Sequence, residues 1–174
     1  MRKNALLLLS CVVLVVGLLA AGPASMATGH GSKILKFHTM VAVPRPYTEP
    51  ANAIRGVAGG GLPWVIDSAK GELERDGEIE VEVEGLVIDP NDPAAISAGV
   101  AGTNPVPNFK AIVSCLSTNA AGNAVTSNVE TGAFPASASG DSEIDDTVNL
   151  PEPCIAPIVF VTSPTGQWFA ATGL

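Results

Sequence analysis

The chain has 174 residues, of which 47% are hydrophobic and only 15% charged, and its formal charge is −8. That composition excludes an intrinsically disordered chain. The acidic balance excludes the electrostatic attraction on which nucleic-acid and anionic-lipid binding depend.

Met1-Arg2-Lys3-Asn4 is a short basic lead, residues 5–21 are apolar or small without a charge, and Gly22-Pro23-Ala24-Ser25-Met26-Ala27 supplies small residues suited to a cleavage site. This is the three-part pattern of an export signal. Cleavage is expected after Ala27, with a cut after Ala24 as the alternative. Residues 1–27 are then a signal peptide and residues 28–174 a secreted domain. The rival reading is an uncleaved N-terminal anchor, since the apolar run sits at the lower end of the ~17–25 residues a spanning helix needs. In either case Arg2 and Lys3 hold the N-terminus inside and the body of the chain is extracytoplasmic. Leu8-Leu9-Ser10-Cys11 resembles a lipid-attachment box, but an equally apolar run follows it, so Cys11 reads as part of the signal core. Without Arg2 and Lys3 the formal charge becomes −10, seven basic against 17 acidic residues. The remaining length suits a single domain with a sizeable core.

Residues 34–43 read as a strand with Leu35, Phe37, Thr39, Val41 and Val43 on one face, ended by Pro44-Arg45-Pro46 because proline cannot donate to a ladder. Residues 47–61 form a loop with a weak helical turn near residues 50–55. The clearest signal lies in residues 62–88. Ile79, Val81 and Val83 alternate with Glu78, Glu80, Glu82 and Glu84, the pattern of a half-buried strand. Upstream, Ala69, Gly71 and Leu73 alternate with Ser68, Lys70 and Glu72.

The turn between these runs decides the register. A two-residue Asp76-Gly77 loop would set Leu73 opposite Glu80 and mix the two faces. A three-residue Arg75-Asp76-Gly77 loop, with Gly77 in the left-handed region, pairs Leu73 with Ile79 and Lys70 with Glu82. The longer loop is therefore expected. The glutamate row reads as a solvated face, because carboxylates along a strand rarely converge on one cation. Asp89-Pro90-Asn91-Asp92-Pro93 is a turn, followed by a small-residue loop to Pro107. Further strands are expected at residues 109–116, 124–130, 142–150 and 155–162. Ser163-Pro164-Thr165-Gly166 then turns the chain into a last strand at residues 167–171. About eight short strands, Gly/Pro punctuation and no convincing amphipathic helix point to an all-β fold. The expected form is a single β-sandwich of Ig-like, Greek-key type, with a barrel as second choice.

Outside the signal only Cys115 and Cys154 remain, 39 residues apart. Behind an export signal such a pair reads as one disulfide, and its wide spacing is unlike the Cys-x-x-Cys of redox-active pairs. A structural bridge is expected, with Cα atoms ~4.4–6.8 Å apart.

Signals for chemistry are sparse. The histidines are His30 and His38, and none follows, which weakens nucleophile–histidine schemes for any later serine or cysteine. Gly-x-Ser-x-Gly, phosphate-loop, dinucleotide-binding and His-Glu-x-x-His motifs are all missing. Composition leaves carboxylate chemistry open at Asp67, beside Trp64, and at the cluster Asp141, Glu143, Asp145 and Asp146. A glycosidase would need two of these facing across a cleft, flanked by exposed aromatics. The same cluster offers oxygens for Ca²⁺. Cleavage after Ala27 would also place His30 third from a free amine, and His38 with Met40 forms a His-x-Met pair, two weak signals for Cu(II).

The leading expectation is thus an exported, non-catalytic binding or structural domain. It carries no assigned catalytic residue, no assigned metal ligand and no cofactor. Its partner is expected to be a protein or carbohydrate, with no nucleic acid and no membrane beyond the signal segment. A Ca- or Cu-binding protein and a carboxylate hydrolase are the alternatives.

Overall fold

A computed structural model describes residues 31–173. The expected signal peptide, its cleavage site, Cys11 and His30 lie outside the described residues.

The described chain is almost entirely β, with twelve strands and one short helix. It opens with β1 (Lys33–Phe37) and β2 (Val41–Ala42). A 3-10 turn at Pro50–Asn52 precedes β3 (Trp64–Val65), β4 (Ser68–Glu74), β5 (Glu78–Glu84) and β6 (Val87–Ile88). The helix α1 (Pro93–Ala98) leads to β7 (Asn108–Thr118), β8 (Ala124–Glu130) and β9 (Phe134–Pro135). The last strands are β10 (Ser142–Thr147), β11 (Ile155–Thr162) and β12 (Trp168–Ala171). One sheet has the order β1-β4-β5-β10. A second runs β2-β12-β11-β7-β8, with β9 paired to β7, and β3 with β6 forms a small ribbon. All of these pairings are antiparallel.

The β4–β5 hairpin takes the three-residue loop: Leu73 pairs with Ile79 and Lys70 with Glu82. Gly77 has φ +96, a value that L side chains rarely adopt, and its N–H closes the turn on the Glu74 carbonyl at 3.1 Å. The alternation buries Leu73, Ile79, Val81 and Val83 together with Ile144 of β10. Each such side chain contributes about 1.5–3 kcal/mol by leaving water.

Three expectations change. Residues 34–43 are not one strand: β1 joins β4 in the first sheet, whereas β2 joins β12 in the second. The chain bends at His38 and crosses between sheets, so Phe37, Met40 and Val43 are buried while Val41 is exposed. Its apolar residues serve two sheets, and a single alternation could not. The loop after Asp92 contains α1. Asp92 Oδ1 accepts the Ala94 and Ala95 amides at 3.1 and 3.0 Å, Pro93 opens the helix, and Gly99 closes it in the left-handed region. The strand expected at residues 142–150 ends at Thr147, just before Val148 donates its amide to the Gly77 carbonyl at 2.9 Å.

One apolar core draws on both sheets, with Ala111, Val113, Cys115, Val159 and Val161 from the second. Trp64 stacks on Phe169 at 3.9 Å between ring centroids, and Phe109 meets Phe169 edge-on at 5.7 Å. The second sheet is buried on its other face too: Phe160, Trp168 and Ser114 are each fully covered. There the chain after the 3-10 turn runs along β12, where Gly59 bridges Trp168, and Arg55 donates to the carbonyls of Ser114 and Ala156 at 2.9 and 2.8 Å. Among the described residues the first sheet has an open face, with Lys70, Glu80, Glu84, Glu143 and Asp145 exposed on it. Cys115 and Cys154 form a disulfide with Cα atoms 4.9 Å apart, stapling β7 to the start of β11.

Candidate functional site

The outward positions of the first sheet are mostly carboxylates, arranged in rows across the strands. Glu80 of β5 lies opposite both Glu72 of β4 and Asp145 of β10. Glu82 lies opposite Lys70 on one side and Glu143 on the other. Glu84 lies opposite Ser68, whose hydroxyl donates to it at 2.9 Å. Like charges set directly opposite across strands repel. Three lysines offset part of this: Lys33 contacts Glu72 at 2.6 Å, Lys70 contacts Glu82 at 2.9 Å, and Lys36 stands 4.0 Å from Glu72. The hydrogen bonds from Lys33 and Lys70 to these glutamates raise both lysine pKa values. A shallow pocket of about 130 Å³ sits among Lys36, His38, Lys70, Glu72, Glu80 and Glu82.

At the turn end of this face Glu74, Asp76 and Glu78 converge, each offering a carboxylate oxygen within 4.8 Å of the others. Glu74 and Glu78 flank the three-residue loop that carries Asp76 at its middle. Asp76 Oδ1 accepts the Glu78 amide at 3.3 Å. Asp76 and Glu78 are exposed, whereas Glu74 is only 3% exposed. The strand row alone would not have gathered these groups. The hairpin adds Glu74 and Asp76 to Glu78, and the loop length sets their approach.

The acidic cluster singled out in the sequence is dispersed. Asp141 precedes β10 and clips a loop: it accepts from Ser139 at 2.7 Å, from the Gly85 amide at 3.0 Å and from Ser137 at 3.0 Å, and these bonds hold its carboxyl below the usual range. Asp146 points away from its neighbours and accepts the Gly132 and Thr147 amides, each at 2.8 Å, which also lowers its pKa. Glu143 and Asp145 remain on the acidic face, each opposite a glutamate of β5. Among the described residues, Glu74, Asp76 and Glu78 are the group whose carboxylates approach within one ion's reach. An exposed tryptophan beside a carboxylate would favour the hydrolase alternative, and Trp64 and Trp168 both belong to the core. Asp67 is exposed with its carboxylate packed against Gly85, where an added Cβ would lie 2.4 Å from Oδ2. The His-x-Met pair is split by the bend: His38 is exposed and Met40 is 4% exposed, so they do not share an open face.

A cavity of about 550 Å³ opens beside the acidic turn, lined by Arg75, Asp76, Asn149, Leu150, Glu152 and Cys154 among others. Among the described residues, no helix is long and apolar enough to cross a membrane. Comparisons of the chain with protein-family profiles, characterised proteins and solved structures return no match.

Proposed function

We propose that the chain is an exported, non-catalytic binding module that presents the open face of its first sheet to a cationic partner, a protein bearing a basic surface. The observation that carries this reading is the run of opposed carboxylates, Glu72–Glu80–Asp145 and Glu82–Glu143, on a large sheet face left open among the described residues. Opposed like charges cost stability in the free domain, and a partner of opposite charge relieves that cost while steering its own approach. Export rests on the N-terminal pattern and on the disulfide, a bond that persists in oxidising compartments.

In this reading the two larger sheets stack as the layers of one β-sandwich, supported by the single core to which both contribute. The order β2-β12-β11-β7-β8, with β1 in the opposite sheet, favours an Ig-like, Greek-key path. The disulfide departs from the immunoglobulin pattern, because it joins neighbouring strands of one sheet instead of bridging two.

The test is surface plasmon resonance on immobilised polylysine at low and moderate salt. The Glu80→Gln/Glu82→Gln double variant is expected to lose roughly tenfold in affinity and part of the salt slope. A control neutralising the same charge elsewhere, Glu49→Gln/Glu152→Gln, is expected to lose much less. Equal losses in the two pairs would mean that only net charge matters, and would sink the face as a binding surface.

A further inference from the structure

We propose that Glu74, Asp76 and Glu78 form a Ca²⁺ site at the turn of the β4–β5 hairpin. Two independent observations meet there. First, the three carboxylates offer oxygens within 4.8 Å of one another. Calcium takes its oxygen ligands at ~2.3–2.6 Å, so three oxygens gathered this closely need at most a small inward movement to share one ion. Magnesium demands strict octahedral geometry and sheds its waters reluctantly, so it is served less well by several carboxylates on a flexible turn. Second, Glu74 is 3% exposed, and its Oε2 is shut off from solvent without a hydrogen-bond partner. A buried carboxylate oxygen without a donor is costly. A cation held by the exposed Asp76 and Glu78 supplies the missing partner.

Basic side chains nearby do not fill this role. Lys33 directs its ammonium to Glu72 at 2.6 Å, and the Arg75 Nε donates to the Ser32 hydroxyl at 3.3 Å. The donor set is all oxygen, with no imidazole or thiolate, which selects a hard cation over zinc or copper. Three carboxylates leave further positions of a six- to eight-coordinate ion to water. Asp76 also lines the open cavity, which gives a hydrated ion its route in. Gly31 leaves the room that the Asp76 carboxylate occupies, since a Cβ there would lie 2.8 Å from the Asp76 Cγ. Bound at this turn, calcium would neutralise one end of the acidic face and tie the loop to both strands.

Calorimetric titration of CaCl₂ into the chelator-treated full protein tests this. The expected result is one site, with a dissociation constant on the order of 10⁻⁴–10⁻³ M, as in extracellular calcium modules. Glu74→Gln and Asp76→Asn should each weaken binding by roughly tenfold or more. Glu84→Gln, at the far end of the same face, should not. If Glu74→Gln fails to fold, Asp76→Asn and Gly31→Ala carry the test; the latter displaces the Asp76 carboxylate without removing its charge. No saturable heat at millimolar calcium, equal weakening by Glu84→Gln, or magnesium binding as tight as calcium would each overturn the site. Calcium is read here without any polycation, so the site and the proposed binding face can fail separately.

Discussion

Gly77 shows how much one residue decides. Its φ of +96 and a neighbouring carbonyl leave no room for a side chain: an added Cβ would lie 1.9 Å from the Val148 oxygen. Gly77→Ala is therefore expected to cost about 1–3 kcal/mol in backbone strain alone, with more from displacing Val148, and urea unfolding measures the loss. An unchanged midpoint would mean that the turn accommodates a side chain and that its loop length is not enforced. This residue was legible in the sequence, because only a three-residue loop ending in glycine keeps Leu73 and Ile79 on one face. Glu74 was not legible. Its place outside the apolar alternation suggests a solvated carboxylate like Glu72, yet it is buried. Burial of a strand's last residue depends on what chain folds over it, and no local pattern encodes that.

Among the elements, β10 depends on carboxylates at both ends. Asp141 clips the loop before it to Gly85, and Asp146 near its end holds the Gly132 amide. Both folded-state pKa values are depressed, Asp141 first by the Ser139 hydroxyl and Asp146 first by the Gly132 amide. Asp92 is depressed as well: burial pushes its carboxyl up, but the Ala95 amide, the Arg45 guanidinium and the Ala94 amide outweigh that. A depressed carboxylate stabilises the fold fully above its unfolded pKa, about 3.9, and that contribution is lost as pH falls through the lower folded value. Stability should therefore hold down to about pH 4 and then decline. Asp141→Asn should flatten the acid limb, as followed by thermal midpoints across pH; an identical limb would show that the clip is not coupled to folding. Element existence was mostly readable from alternation, as with β5 and β8, or from an apolar run between turn residues, as with β11. Two errors share a cause: β1 with β2, and the α1 loop, are short segments whose form depends on neighbours. The cap signals for α1, Asp92, Pro93 and Gly99, were present in the sequence, but six residues are too few to show a helical period.

For the molecule as a whole, the disulfide closes a 39-residue separation that contains β8, β9 and β10. The chain-entropy treatment assigns such a loop ~4 kcal/mol. The Cys115→Ala/Cys154→Ala double variant should lose about that much in urea unfolding, with β10 and its acidic residues among the first to gain amide exchange. A loss below about 1 kcal/mol would mean that the two sheets hold this segment without the staple. The sequence by itself determined the β class, the hairpin register, and the pairing of Cys115 with Cys154. Each of these follows from local alternation, turn stereochemistry, or having only one partner to choose outside the expected signal segment. Tertiary structure alone decided that β1 and β2 serve different sheets, that Trp64 and Trp168 are core, and that Glu74 is buried. These outcomes turn on which distant segment covers which face, and the free energy of burial belongs to the assembled pair of surfaces, not to either stretch of chain.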